Sequence, residues 1–157
     1  MSLAIPDIQL ACASDAERIA VMSRDYIESG LVWSWVPARV LRAIRDPDTN
    51  VAVLRGSRAL LGFGIMQYNE DSAHLALLAV GPGHRNRGLG GRILSWLEQP
   101  ARVAGIQRII VEARADNPLA IEFYCRYGFE QTATVEGYYQ GRLNAVRLAK
   151  LLNPPIQ

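Results

Sequence analysis

The sequence predicts a mixed α/β fold, and three observations carry that prediction. Leu75–Val80 is an apolar run without a charge, of the length of a buried strand. It leads through a basic, turn-rich loop, Gly81–Arg87, into a helical pattern with Leu89, Ile93, Trp96 and Leu97 at steps of three and four. With the two strand-like runs ahead of it, it makes three joined by short turns, which should pair as antiparallel neighbours. Behind it, strand and helix patterns alternate, as in a βαβ crossover.

Taken in order, Ile8–Ala13 is short and apolar, a first strand. Ser14-Asp15 reads as a cap, with Glu17 in the first turn of a helix striped by Ile19, Ala20, Met22 and Tyr26. Ser29-Gly30 ends it. Leu31–Trp35 carries two tryptophans around a serine. Pro37 opens a second helix, Ala38–Arg45, where proline is tolerated, and Asp46-Pro47-Asp48 closes it. The three strand-like runs are Asn50–Arg55, Ala59–Tyr68 and His74–Val80, separated by Gly56-Ser57 and Asn69-Glu70-Asp71. The helix pattern from Gly88 contains Pro100, which must kink or end it. Gln107–Arg114 is strand-like. Asn117-Pro118 starts another helix, with Ile121, Tyr124 and Cys125 on one face and Gly128 at its end. Phe129–Val135 and Ala145–Leu152 are the last strands, linked through Gly137–Gly141 and its two tyrosines. The order is β-α-α-β-β-β-α-β-α-β-β, and 157 residues suit a single domain.

Composition narrows the function. Half the residues are apolar and a fifth charged, as in an ordinary soluble domain. A net charge of +2, without a basic tail or block, speaks against nucleic acid or a membrane surface as partner. Cys12 and Cys125 stand far apart without a Cys-x-x-Cys or Cys/His companion, so neither a metal site nor a disulfide framework is expected. There is no leader-like segment and no apolar run of about 18 residues. The cytoplasm is the expected compartment.

The strand, glycine loop and helix together present a helix N-terminus to an anion. Glycines 88, 90 and 91 let backbone approach the ligand, and Arg85 and Arg87 add charge. A diphosphate is the natural guest. A P-loop would close the glycines with Lys-Ser or Lys-Thr, and Gly91-Arg92-Ile93 does not. A dinucleotide fingerprint would need a third glycine after Gly81-x-Gly83 and a later acidic residue, which are missing.

Arg85-x-x-Gly88-x-Gly90 resembles the pyrophosphate-binding motif, Gln/Arg-x-x-Gly-x-Gly/Ala, of the GNAT superfamily of acetyl-CoA-dependent N-acetyltransferases. Asn117–Phe129, NPLAIEFYCRYGF, resembles that superfamily's other recurrent segment, an Asn, an aromatic-bearing helix and Tyr-Gly-Phe. With the matching element order, the resemblance covers nearly the whole chain. The segment VEARADNPLAIEFY most resembles the N-terminal acetyltransferases of bacterial ribosomal proteins. The match runs from Val80 to Tyr124 without a gap, and Tyr138-Tyr139 matches a Tyr-Tyr pair near the end of those chains; the first half matches weakly.

The resemblance implies a central mixed sheet of about seven strands with helices on both faces, and acetyl-CoA as cofactor. Arg85, Asn86, Arg87, Gly88, Leu89, Gly90 and Gly91 would hold its pyrophosphate. The backbone of Leu78, Ala79 and Val80 would pair with its pantetheine arm, as an added strand would. An N–H near Val80 would serve the oxyanion. Glu112 would be the general base, Tyr124 the general acid, and Asn117 a cofactor contact as well as a helix cap. Acyl transfer to an amine needs these types: the amine must lose a proton and the thiolate must gain one. Glu112 alternates with Val111 and Ala113, so it faces away from them, and desolvation there would raise its pKa. The other reading of Glu112 is a solvated strand charge, or a partner for Arg108 or Arg114. Cys125 as a nucleophile lacks a visible base, and a buried inert thiol is expected. His84 is expected to be solvated and His74 structural. Trp33, Trp35, Tyr138 and Tyr139 are candidates to wall the acceptor site; Glu28, Glu70 and Asp71 are the loop carboxylates near it.

The expected activity is direct acetyl transfer to a primary amine in a ternary complex, first a peptide or protein N-terminus. A small amine, such as a polyamine, amino acid or aminoglycoside, is the alternative acceptor. Outside enzymes, a non-catalytic acyl-CoA-binding module or a nucleotide-binding domain remain. A monomer or homodimer is expected.

Overall fold

The computed structural model describes residues 7–85 and 87–152. The elements come in the predicted order: β1 (Asp7–Leu10), α1 (Ala16–Tyr26), α2 (Pro37–Arg45), β2 (Thr49–Arg55), β3 (Leu60–Tyr68), β4 (Ser72–Val80), α3 (Leu89–Val103), β5 (Arg108–Arg114), α4 (Pro118–Arg126), β6 (Glu130–Tyr139) and β7 (Leu143–Leu151). The sheet has seven strands in the order β1-β2-β3-β4-β5-β7-β6. It is mixed: β4 and β5 run parallel, while β1–β2, β2–β3, β5–β7 and β6–β7 are antiparallel.

The chain forms two compact units. One holds the chain through Gln67 together with Leu77–Gln99. Its core is built from Ile19 and Met22 of α1, Leu54 of β2, Phe63, Ile65 and Met66 of β3, and Ile93 and Leu97 of α3. The glycines inside β3 let α3 close on the sheet. A Cβ on Gly62 would meet the Ala79 carbonyl at 2.8 Å, and one on Gly64 would meet Leu97 Cδ1 at 2.7 Å. Backbone approach, not turn formation, explains these two glycines.

The other unit holds Tyr68–Ala76 and the chain from Pro100 on. Ile109, Val111 and Ala113 alternate inward along β5 and pack with Tyr124, Phe129, Ala145 and Leu148. Asn117 caps α4, its Oδ1 accepting from Ala120 N at 3.2 Å, and Pro118 takes the first turn.

Three expectations change. Pro100 does not end α3, which continues to Val103, so of the two outcomes proline imposes, a kink or an end, the end is excluded. Gly137–Gly141 is not a linker. β6 runs through Tyr139, and the reversal is made by Gln140 (φ 60°) and Gly141 (φ 72°). Gly137, at φ 64°, sits where the β6–β7 register shifts, and its carbonyl accepts from Gly141 N at 2.9 Å, so it marks a bulge that also helps close the reversal. Finally, α4 buries Tyr124 but leaves Cys125 exposed, so the expectation of a buried thiol fails.

Candidate active site

Four strands of the second unit assemble one cluster. His74 stands on β4 and Glu112 on β5, where the parallel ladder joins Ser72–Leu75 to Arg108–Val111. Alternation buries Ala73 and Leu75 on β4, and Val111 and Ala113 on β5. His74 and Glu112 are thereby turned to the opposite face. Arg147 of β7 pairs directly across from Glu112, and β6 supplies Tyr138 and Tyr139. Glu112 Oε1 accepts from His74 Nε2 at 2.6 Å and from the Tyr138 hydroxyl at 3.0 Å; Oε2 accepts from Arg147 Nε at 2.9 Å. Tyr139 donates to the Glu112 backbone carbonyl at 3.2 Å, and the two tyrosine rings meet edge to face at 4.9 Å.

The electrostatics overturn one expectation. Burial is the largest single influence on Glu112 and pushes its pKa up. Hydrogen bonds from His74 and Arg147, the charge of His74 and the hydrogen bond from Tyr138 together outweigh it. The carboxyl is held at about 2, below its ordinary 4.5, instead of being raised by desolvation. Nor is it a solvated charge: its side chain is 6% exposed, against 33% for His74 and 41% for Arg147. Arg108 and Arg114 are not its partners; Arg114 makes a two-bond pair with Asp116, 2.9 Å each.

Tyr124 lies buried on α4, edge-on to Phe123 at 5.2 Å and to Phe129 at 5.4 Å. Burial, with a smaller contribution from Tyr139, holds its phenol well above the usual range, so the resting hydroxyl carries its proton. Tyr139 is raised as well, first by burial. Asn117 uses its Oδ1 for the cap.

The loop after β4 belongs to the first unit. Pro82–His84 is a short 3-10 turn, closed by His84 N donating to Gly81 O at 2.9 Å. Arg85 Nε folds back to the Val80 carbonyl at 3.1 Å, and Arg87 Nη1 donates to His84 Nδ1 at 3.3 Å; both arginines are exposed. His84 is thus engaged by its neighbour rather than simply solvated. Gly88 has φ +74° with open space where a Cβ would stand. At the start of α3, Arg92 N donates to Gly88 O at 3.2 Å, and the N–H groups of a helix's first turn have no acceptor four residues back within the helix. Asn86 lies outside the described residues.

Trp33 and Trp35 belong to the first unit, and Tyr138 and Tyr139 to the second. Trp33 Nε1 donates to Ala20 O at 3.1 Å, and the Arg39 guanidinium sits 3.9 Å over the Trp35 ring. Glu28 is not a wall carboxylate. It is 6% exposed and accepts from Ser23 Oγ at 2.8 Å, Ser34 N at 2.7 Å, Ser34 Oγ at 2.6 Å and, at longer range, Trp35 N. Its Ser-Gly flank disguises it as a loop charge. Sequence reasoning also passed over His74 and Arg147; only the β4–β5–β7 register points to them. Among the described residues no His, Cys, Asp and Glu group has metal-binding geometry, and both cysteines are free.

Residues 17–129 match the acetyltransferase (GNAT) family. The chain belongs to that family. Its curated relatives include the [ribosomal protein bS18]-alanine N-acetyltransferase of Salmonella typhimurium, 33% identical over 93 residues, 57% of this chain and 63% of that enzyme. The streptothricin acetyltransferase of Streptomyces lavendulae is 28% identical over 113 residues, 70% of this chain and 60% of that enzyme. The match thus spans less than two thirds of either relative's length. Among solved structures, Arabidopsis thaliana NAA60 in complex with acetyl-CoA superposes with a TM-score of 0.82 at 16% identity, covering 96% of this chain and 100% of that one. That likeness is one of fold. No helix among the described residues is long and apolar enough to cross a membrane.

Proposed function

We propose that the chain transfers the acetyl group of acetyl-CoA to a primary amine, first of all the N-terminal amine of a peptide or protein, in the cytoplasm. The observation that carries the reading is the Glu112 cluster: a carboxylate gathered with a histidine, an arginine and a tyrosine from four strands of a GNAT-family chain. The relative that acetylates the alanine of a ribosomal protein supports the peptide acceptor. The streptothricin enzyme keeps a small amine as the second reading.

The loop fits a pyrophosphate. Gly88 leaves its surface open, the first turn of α3 offers its N–H groups as helix N-termini do, and Arg85 and Arg87 are exposed. Arg85, Arg87, Gly88, Leu89, Gly90 and Gly91 would hold the diphosphate. The backbone of Leu78–Val80, beyond the end of the β4–β5 ladder, would pair with the pantetheine amides. Acetyl-CoA supplies an activated thioester carbonyl. Glu112 and its partners manage the proton leaving the amine, and the Tyr124 hydroxyl donates toward the departing sulfur. Asn117 contributes its amide group to the ligand as well as capping α4.

Calorimetry with acetyl-CoA, followed by free-thiol release across peptides and small amines, tests this. Association is expected, with peptides bearing a free N-terminus turning over faster than polyamines or amino acids. Gly88→Val, which strains a positive-φ position and fills its open side, is expected to weaken association at least tenfold. No heat with the folded protein would remove the reading; faster turnover of small amines would replace the acceptor. Binding without turnover on any amine would favour an acyl-CoA-binding module.

A further inference from the structure

We propose that the atom receiving the amine's proton is His74 Nδ1, and that the Glu112 carboxylate positions His74 rather than acting as the base itself. This rests on the acetyl-transfer reading and specifies the proton acceptor within it.

Glu112 is poorly placed to accept a proton. A carboxylate offers about four lone-pair positions. Three are filled, by His74, Tyr138 and Arg147, and the side chain is nearly closed to solvent. These donors all favour the ionised form, which makes the group a weak base. An amine delivered from solvent meets His74 more readily, with a third of its side chain exposed.

The geometry also prepares His74 for the task. An ionised carboxylate only accepts hydrogen bonds, so the 2.6 Å contact places the ring proton on Nε2. Nδ1 then carries the free lone pair, and among the described residues it makes no hydrogen bond. The carboxylate fixes the tautomer and the ring plane and stabilises the imidazolium as it forms, as in a histidine–carboxylate pair of a hydrolase. Arg147 and Tyr138 complete the arrangement by keeping Glu112 ionised, so the proton stays on the ring. His74 thus faces Glu112 from β5, and Arg147 from β7 and Tyr138 from β6 bond to that same carboxylate.

The step balances. The amine nitrogen forms a bond to the thioester carbonyl carbon, and the carbon–sulfur bond breaks with its electron pair going to sulfur. One N–H proton passes to His74 Nδ1, and sulfur takes one from Tyr124. His74 then loses its proton to water and Tyr124 regains one from water. The net change is an amide, a thiol and no change in the protein.

Two measurements decide the matter. The first needs no turnover: long-range proton–nitrogen NMR on histidine-labelled protein, with His84→Gln to assign the two rings. The neutral His74 ring is expected in the Nε2–H tautomer, and Glu112→Gln should mix the tautomers. An Nδ1–H tautomer in the wild type would overturn the proposal. The second compares rates. His74→Gln is expected to lower kcat by about 10²–10³-fold with KM little changed, and Glu112→Gln by less. Added imidazole should restore part of the rate to His74→Ala but not to Glu112→Ala. The reverse order, with Glu112→Gln the more damaging and His74→Gln nearly neutral, would return the base role to Glu112. Acetyl-CoA association retained in every variant separates these outcomes from failure of the acetyl-transfer reading itself, which would show as no association in the wild type.

Discussion

Two carboxylates in this protein have little access to solvent, yet they are held in different ways. Glu28 takes its hydrogen bonds from Ser23, Ser34 and Trp35, all within seven residues and all from neutral donors. Glu112 takes its bonds from His74, Tyr138 and Arg147, 26 to 38 residues away and drawn from three other strands. Neutral local donors close a loop and go no further. A histidine and an arginine that reach solvent can pass a charge change on to a ligand. Burial alone therefore does not mark the working carboxylate; the nature and reach of its partners do.

The comparison makes Glu28 a structural latch, and its removal should give the larger loss of stability. Glu28→Ala strands the buried Ser23 hydroxyl and the Ser34 and Trp35 amides. One fully buried unpaired donor, Ser23, with two partly exposed ones makes a loss of about 2 kcal/mol the expectation in urea denaturation. Acetyl-CoA association of the remaining folded protein should not change. If stability held and transfer collapsed, Glu28 would belong with Glu112 and the distinction would fail.

Glu112 should show its character through pH instead. Its folded pKa, about 2, lies below the ordinary 4.5. A depressed carboxyl stabilises the fold fully above the unfolded value and loses that contribution as pH falls from 4.5 through 2. Against Glu112→Gln, the stability advantage of the wild type should therefore be about 2 kcal/mol smaller at pH 3 than at pH 6. Denaturant unfolding at the two pH values checks this. An advantage independent of pH would mean that the donors do not discriminate between the two protonation states.

The same difference in reach explains what could be read from the sequence. The element order was legible because apolar periodicity is local, and so was the outward face of Glu112 between Val111 and Ala113. The caps at Asn117 and Pro37 were legible from the chemistry of single residues. The partners of Glu112 were not, because nothing near position 112 announces residues 74, 138 and 147; the register of β4, β5 and β7 does. Gly137 and Gly141 look alike as turn formers, yet Gly141 sits in the reversal itself while Gly137 sits in a bulge of β6 and closes the turn through its carbonyl. Glu28 looked like a loop charge because its burial depends on a serine six residues on. Cys125 was misplaced because the face of α4 was drawn one position too wide.

Asn117 supplies the finest test, since it combines a local structural bond with a proposed ligand contact. Its Oδ1 caps α4 through Ala120 N. Asn117→Ala removes both functions, and about 1 kcal/mol of stability should go with the cap. Asn117→Asp separates them. Aspartate caps as well as asparagine, so thermal stability should stay within a few tenths of a kcal/mol. It also replaces the amide Nδ2–H₂ with an anionic oxygen, which cannot donate to a cofactor carbonyl and repels phosphate. Acetyl-CoA association of Asn117→Asp should therefore weaken about tenfold, the effect of one lost polar contact of roughly 1.4 kcal/mol. Unchanged association would make Asn117 a cap alone, a local bond like those of Glu28.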